Sequence, residues 1–303
     1  MIPAKLSPGD TIGVICPSHI AGEADYRKIA GTIESLGFRV RLGDNIFKDT
    51  YGYLASERER ADDLNRMVAD PDVKMVFFGG GMGAAEILPL IDYESIRRNP
   101  KIFASYSDGT YILSAVRAKS GLVTYYGLGA GEFRDLRYYE YTQFTDHFVT
   151  GHTAKALNGG GEWRVLRPGM REGILTGGYV EIFATILNTE YFNYDPRCKH
   201  ILFLEGHERF SRVAEVSVCL SLIEQNAFIE SVSGLVFGHY AEDVPADLFR
   251  RLERFGEKHG VPVVYTDDFG HGARHSVLPI GAGAELDTER QRLSFRAGDI
   301  CGG

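Results

Sequence analysis

Apolar residues along this chain come in two rhythms. Short unbroken runs, Thr11-Ile12-Gly13-Val14-Ile15-Cys16, Met75-Val76-Phe77-Phe78 and Ile102-Phe103-Ala104, read as strands buried on both faces. Between them the apolar positions follow helical spacing: Ala24 to Leu36, closed by Gly37; Leu64, Met67 and Val68; and Thr110 to Lys119. Ser56-Glu57-Arg58-Glu59 has the form of a capping box and predicts a helix start. The glycine run at 79–83 separates a strand from a helix through Ile87-Leu88, and Leu122-Val123-Thr124-Tyr125 is one more strand. Strands and helices in strict alternation predict a doubly wound parallel sheet for residues 1–128.

From 129 to 172 the rhythm fades into a stretch rich in Tyr, Phe, Thr and Gly, read as a linker or excursion. Residues 173–303 resume as a smaller, strand-rich mixed α/β domain. Helical spacing covers Tyr179 to Leu187, Val213 to Ile223 and Asp247 to Lys258. Ile201-Leu202-Phe203-Leu204, Leu235-Val236-Phe237, Val261 to Val264, Ala284-Glu285-Leu286 and Arg292 to Phe295 read as strands. Pro262 suits a strand start or an edge, because it has no N–H for a ladder.

Composition narrows the function classes. The 303 residues are 44% hydrophobic and 24% charged, as in ordinary globular domains. A net charge of −8 argues against nucleic acid or anionic lipid as partner. No run approaches the roughly 20 apolar residues of a membrane span, and the N-terminus has no apolar leader. Cys16, Cys198, Cys219 and Cys301 are scattered without a C-x-x-C pair, so neither a disulfide framework nor structural zinc is expected. A cytoplasmic location fits this cysteine usage.

Candidate chemistry sits where strands meet helices. Ser105-Tyr106-Ser107-Asp108-Gly109 is G-x-S-x-G with serine in the first position. A serine on such a turn projects its hydroxyl clear of the sheet, and the following N–H can stabilise an oxyanion. The plainer alternative makes Ser107 or Asp108 a helix cap. A base would be His271, flanked by Gly270 and Gly272 after a strand; Glu205, ending the strand from Ile201, would orient it. A hydrogen-bonded loop histidine and a surface carboxylate are the alternatives. Gly79-Gly80-Gly81-Met82-Gly83 matches the dinucleotide fingerprint only loosely and reads better as a nest of backbone N–H groups. His271 and His275 are four apart but lack H-E-x-x-H, so no metal is expected.

Taken together these stretches resemble the LD-carboxypeptidases, a family of serine peptidases that includes the microcin C immunity peptidases. The resemblance runs in order through Leu6-Ser7-Pro8-Gly9-Asp10, Gly52-Tyr53-Leu54-Ala55, Arg60 to Asn65, Ala69 to Val73, the glycine run, Leu88 to Tyr93, Tyr106-Ser107-Asp108 and Gly121 to Thr124. It continues through Gly177-Gly178, Leu202 to Glu205, Phe269 to Gly272 and Leu278 to Gly281. It implies a Rossmann/flavodoxin-like first domain carrying the nucleophile, and a second domain carrying Glu and His of a Ser107–His271–Glu205 triad. The implied oxyanion hole uses the backbone N–H of Asp108 and one from Gly80 or Gly81. The family is cytoplasmic, metal-independent and commonly dimeric, with no cofactor. Its substrates are murein peptides, from which a terminal D-alanine is removed, or peptidyl and aminoacyl-nucleotide amides.

Four departures stand out. The usual G-Y-S-D-[IV]-T reads Ser105-Tyr106-Ser107-Asp108-Gly109-Thr110, and the usual R-G-G-Y-G reads Gly79-Gly80-Gly81-Met82-Gly83, which resembles the immunity branch. G-G-N-L reads Gly177-Gly178-Tyr179-Val180, and Gly-Pro after the strand at Leu122 reads Gly127-Leu128. Met82, Tyr179 and Arg274 are therefore candidate substrate contacts, Arg274 as a replacement cation for a terminal carboxylate. Tyr125, Tyr126, Phe133, Tyr138, Tyr139, Tyr141 and Trp163 offer either a stacking surface or interface packing. The missing arginine implies a leaving group bulkier or less anionic than D-alanine. A non-catalytic binding module on the same fold is the remaining alternative.

Overall fold

The computed structural model describes residues 1–151, 156–157 and 163–296. The chain divides into two compact units, Met1–Gly151 and His152–Gly303. The first contains β1 (Thr11–Ile15), α1 (Glu23–Ser35), β2 (Arg39–Leu42), α2 (Glu57–Ala69), β3 (Val73–Phe78), α3 (Ala84–Ile87), α4 (Tyr93–Arg98), β4 (Ile102–Ser105), α5 (Thr110–Ser120), β5 (Thr124–Tyr126) and α6 (Tyr138–Phe144). These strands lie in the order β5-β4-β3-β1-β2, and every pairing among them is parallel. The order reverses between β1 and β3, and the crevice at the carboxyl ends of such strands is where open α/β sheets bind ligands.

β1 and β4 are buried throughout and β3 everywhere but Lys74, so the apolar runs became central strands. The capping box forms as expected: Glu59 N–H donates to Ser56 Oγ at 3.3 Å and Ser56 N–H to Glu59 Oε2 at 2.9 Å. β2 and α4 were not anticipated. β2 is an edge strand of four residues, Arg-Val-Arg-Leu, too short for its alternation to register. Residues 129–151 continue in helical turns that face this unit's core. Phe133, Phe144 and Phe148 surround Phe77, with ring centroids 5.2, 6.3 and 6.2 Å away. Burying three phenylalanines contributes roughly 1.5–3 kcal/mol each.

The second unit contains β6 (Ala156–Leu157), β7 (Trp163–Arg167), β8 (Met170–Tyr179), α7 (Val180–Ile186), β9 (His200–Glu205), α8 (Val213–Gln225), β10 (Val232–His239), α9 (Ala246–His259), β11 (Val263–Gly270), β12 (Leu278–Ile280), β13 (Gly283–Asp287) and β14 (Arg292–Arg296). Eight strands lie in the order β6-β14-β13-β8-β9-β10-β11-β7. β8 to β11 are parallel; β7, β13, β14 and β6 join antiparallel. Phe183, Leu220, Phe228 and Leu252 bury their side chains in one core with Leu204 and Phe237 of the sheet.

Pro262 precedes β11, which lies between β10 and β7, and its carbonyl accepts from Leu235 N–H at 3.0 Å. The proline therefore opens an interior strand, where its missing N–H costs no ladder bond. Cys16 and Cys219 are free thiols. Cys301 lies outside the described residues. Among the described residues no helix is long and apolar enough to cross a membrane.

Candidate active site

In the first unit, Ser107 follows β4 with a φ of 56°. A non-glycine residue in the left-handed region stores on the order of 1–3 kcal/mol and persists only where its surroundings hold it. Here Ser107 N–H donates to Tyr126 Oη at 3.0 Å, and Thr110 Oγ1 donates to the Ser107 carbonyl at 2.7 Å. No side chain caps the start of α5. Asp108 instead turns to the glycine run, its Oδ2 accepting from Ala84 N–H at 2.8 Å. Burial pushes the Asp108 carboxyl up, against the hydrogen bonds from the N–H groups of Ala84 and Gly83.

The glycine run lies against the serine. A Cβ on Gly80 would sit 2.9 Å from Ser107 Cβ, and one on Gly81, at φ 144°, would sit 2.2 Å from the Ser18 carbonyl oxygen. Only bare backbone fits at either place. Buried Arg60 ties the run to the loop after β1: Nη1 donates to the carbonyls of Pro17 at 2.6 Å and Gly83 at 2.9 Å, and Nη2 pairs with Glu86. Serine at 105 requires glycine at 109. A Cβ on Gly109 would lie 2.2 Å from Ser105 Oγ and 2.6 Å from its Cβ.

In the second unit, parallel strands end together. Tyr179 of β8 stands in register with Glu205 of β9, while β10 ends at His239 and β11 at Gly270. Glu205 is fully buried, and its Oε2 lies 2.8 Å from His271 Nδ1. An ionised carboxylate only accepts, so Nδ1 carries the proton and Nε2 keeps the lone pair a base needs. At φ 102°, Gly270 leaves room for this pair; a Cβ there would lie 2.9 Å from Glu205 Oε2. The His271 ring packs among Tyr179, His207 and Phe210, centroids 5.2, 5.7 and 5.8 Å away. Burial, helped by His271 and His239, holds His207 below its ordinary range. Arg209 N–H donates to His207 Nδ1 at 3.0 Å, and His239 Nδ1 lies 2.8 Å from Asp267 Oδ1.

The candidate substrate contacts fare differently. Met82 is 81% exposed. Tyr179 is buried edge-on to His271. Arg274 pairs at 3.0 Å with buried Asp268, which also accepts from Trp163 Nε1 at 3.0 Å. Of the aromatic residues, Tyr125, Tyr126, Phe133 and Trp163 are buried, while Tyr138 is 82% exposed. Among the described residues no three His, Cys, Asp or Glu side chains are grouped to hold a metal ion.

Glu181, at the start of α7, was not anticipated. Both carboxylate oxygens are buried without a hydrogen-bond partner. Burial pushes its carboxyl up to about 7, and Glu205 adds to the shift. A carboxyl raised on folding stabilises the protein while protonated; that advantage is lost as pH climbs from about 4.5 through about 7. Glu181→Gln should therefore match the wild type near pH 5 and melt about 2–6 °C higher at pH 8, read by calorimetry at both pH values. Equal melting temperatures at pH 8 would show that Glu181 is solvated.

Residues 12–127 match the family model of the LD-carboxypeptidase N-terminal domain, and residues 172–286 that of the C-terminal domain. The chain belongs to the LD-carboxypeptidase family. It is a serine peptidase by that membership, and the sequence resemblance is borne out. A Bacillus subtilis (strain 168) protein named a probable murein peptide carboxypeptidase is 30% identical, over 98% of this chain and 94% of its own length. The microcin C7 self-immunity protein MccF of Escherichia coli is 25% identical over 97% of this chain and 95% of its own. The MccF-like protein of Bacillus anthracis superposes with a TM-score of 0.86 at 26% identity, covering 98% of this chain and all of the other. In this family member, Ser18, Glu181, His207, His239 and Asp268 sit in no local motif; the Ser18 carbonyl meets Met82 N–H, the His207 ring meets His271, His239 meets Asp267 and Asp268 meets Trp163, all from distant parts of the chain.

Proposed function

We propose that this chain is a serine carboxypeptidase in which Ser107, His271 and Glu205 act as nucleophile, base and orienting acid on a murein-type peptide. The observation that carries the reading is Ser107 at φ 56°, held at the end of β4 with Gly80 pressed against it. That strain does not serve to cap α5, whose start has no side-chain cap. In the proposed reaction Ser107 Oγ attacks the carbonyl of the last peptide bond and its proton passes to His271 Nε2. The oxyanion takes hydrogen bonds from the N–H of Asp108 and from Gly80 or Gly81. The imidazolium, stabilised by Glu205, returns the proton to the departing amine, and water then hydrolyses the acyl-enzyme. The likeness to the Bacillus subtilis carboxypeptidase supports the murein substrate. Family membership also supports a cytoplasmic homodimer.

A second reading, an amidase acting on peptidyl or aminoacyl-nucleotide amides, draws support from two features. Gly79 stands where murein members carry arginine, and Arg274 is already paired with Asp268. The likeness to MccF points the same way. The deciding measurement is kcat/KM for a murein tetrapeptide against an aminoacyl-sulfamoyl-adenosine. The murein reading requires a preference of about tenfold or more for the tetrapeptide, which would set aside the bulkier leaving group expected from the missing arginine; the opposite preference establishes the amidase.

A further inference from the structure

We propose that His19 is a positioning residue for the oxyanion-binding loop: its ring, held in one tautomer by Tyr26 and Cys16, fixes the Gly80 carbonyl and with it the direction of the Gly81 N–H. The inference rests on the reading of Ser107 as nucleophile with Gly80 and Gly81 in its oxyanion hole. His19 lies in the loop after β1, beside the reversal point of the sheet. Its Nδ1 is 3.0 Å from the Gly80 carbonyl oxygen, its Nε2 is 2.8 Å from Tyr26 Oη, and Cys16 Sγ is 2.8 Å from the same oxygen. Cys16 Sγ also approaches Nε2 at 3.6 Å.

The polarity of this chain follows from its ends. A carbonyl oxygen can only accept, so Nδ1 must carry hydrogen. Burial pushes His19 below its ordinary range and keeps it neutral, which leaves Nε2 a lone pair and obliges Tyr26 to donate to it. Tyr26 Oη can then accept from Cys16, whose thiol burial pushes up to about 12, so it stays protonated. Every donor in the series has one acceptor, and the tautomer that serves Gly80 is the one Tyr26 selects. The Gly80–Gly81 peptide is trans and planar, so anchoring its carbonyl to His19 turns the Gly81 N–H to the opposite side of the loop. On the far side of Gly81, Met82 N–H donates to the Ser18 carbonyl at 2.9 Å, closing the loop on the same β1 segment.

The same geometry explains the missing arginine. A Cβ on Gly79 would lie 3.1 Å from His19 Cε1, so any side chain at 79 would press on the ring. Glycine at 79 leaves the His19 ring undisturbed beneath the loop.

The test uses the full chain and a fluorophosphonate probe. Ser107 Oγ forms the bond to phosphorus, fluoride leaves, the Oγ proton passes to His271, and the phosphoryl oxygen demands the oxyanion donors. His19→Leu should slow the limiting rate of phosphonylation at least about tenfold with the probe's half-saturation concentration unchanged, the range for a misplaced oxyanion donor being about 10²–10³-fold at most. His19→Asn, whose amide nitrogen can take the place of Nδ1, should recover to within about threefold of wild type. Tyr26→Phe, which releases the tautomer, should fall between them. Wild-type rates in His19→Leu overturn the proposal, as does His19→Asn remaining as slow as His19→Leu when both melt cooperatively. Should His19→Leu fail to fold, wild-type rates in Tyr26→Phe overturn it. A wild-type enzyme that takes no label, or a Ser107→Ala variant that labels equally, removes the nucleophile reading and this inference with it.

Discussion

Ser107→Ala is expected to lower kcat by about 10⁴–10⁶-fold while leaving the chain folded. The loss is that large because, in the proposed reaction, the hydroxyl is the attacking group and nothing else supplies it. Ser107→Gly should be equally inactive, yet more stable, because glycine adopts a φ of 56° without strain. The gain is about 1 kcal/mol, visible in denaturant melts as a higher midpoint with unchanged slope. Turnover above roughly a tenth of wild type in either variant would exclude Ser107 as nucleophile. A Ser107→Gly variant no more stable than wild type would mean the turn is not strained.

Glu205→Gln should cost about 10²–10⁴-fold in kcat/KM and move the acid limb of its pH profile to lower pH. The carboxylate is fully buried and lies 2.8 Å from His271 Nδ1, where in the proposed reaction it both selects the tautomer and stabilises the imidazolium. An amide of the same shape can present an N–H to Nδ1 and drive the proton to Nε2, where the base must be bare. Losing the charge also removes the stabilisation of the protonated ring, which is why the acid limb moves down rather than up. Rate and profile measured from pH 5 to 9 check both halves; an unmoved acid limb would remove Glu205 from the reaction.

Much of the first unit was legible because its strands announce themselves as unbroken apolar runs and its helices begin and end with local signals, such as the Ser56–Glu59 box. Ser107, Glu205 and His271 were candidates by the same logic: Ser107 and Glu205 follow an apolar run within three residues, while His271 lies seven beyond Val264. β8 was not legible, and its chemistry explains why. Gly173, Gly177 and Gly178 interrupt it, and Gly177 is there because a Cβ would lie 1.7 Å from the Phe203 carbonyl oxygen. A strand that must be bare to approach its neighbour carries little β signature. The aromatic residues near 133–148 looked unpatterned because they turn about a single ring, Phe77, with no regular spacing. The His19–Gly80 bond joins residues 61 apart in sequence, beyond the reach of any local pattern.

The pair Ser105 and Gly109 bears on how such a chain can change over generations. A branched residue at 109 is barred while serine occupies 105, since its Cβ would fall 2.2 Å from Ser105 Oγ. Glycine at 105 first removes that collision and leaves a Cβ at 109 against the Phe78 ring at 3.1 Å; the reverse order passes through the collision beside Ser107. The two sites are thus epistatic in a directional sense, and the more familiar family motif is reachable from this sequence by one mutational path and not the other.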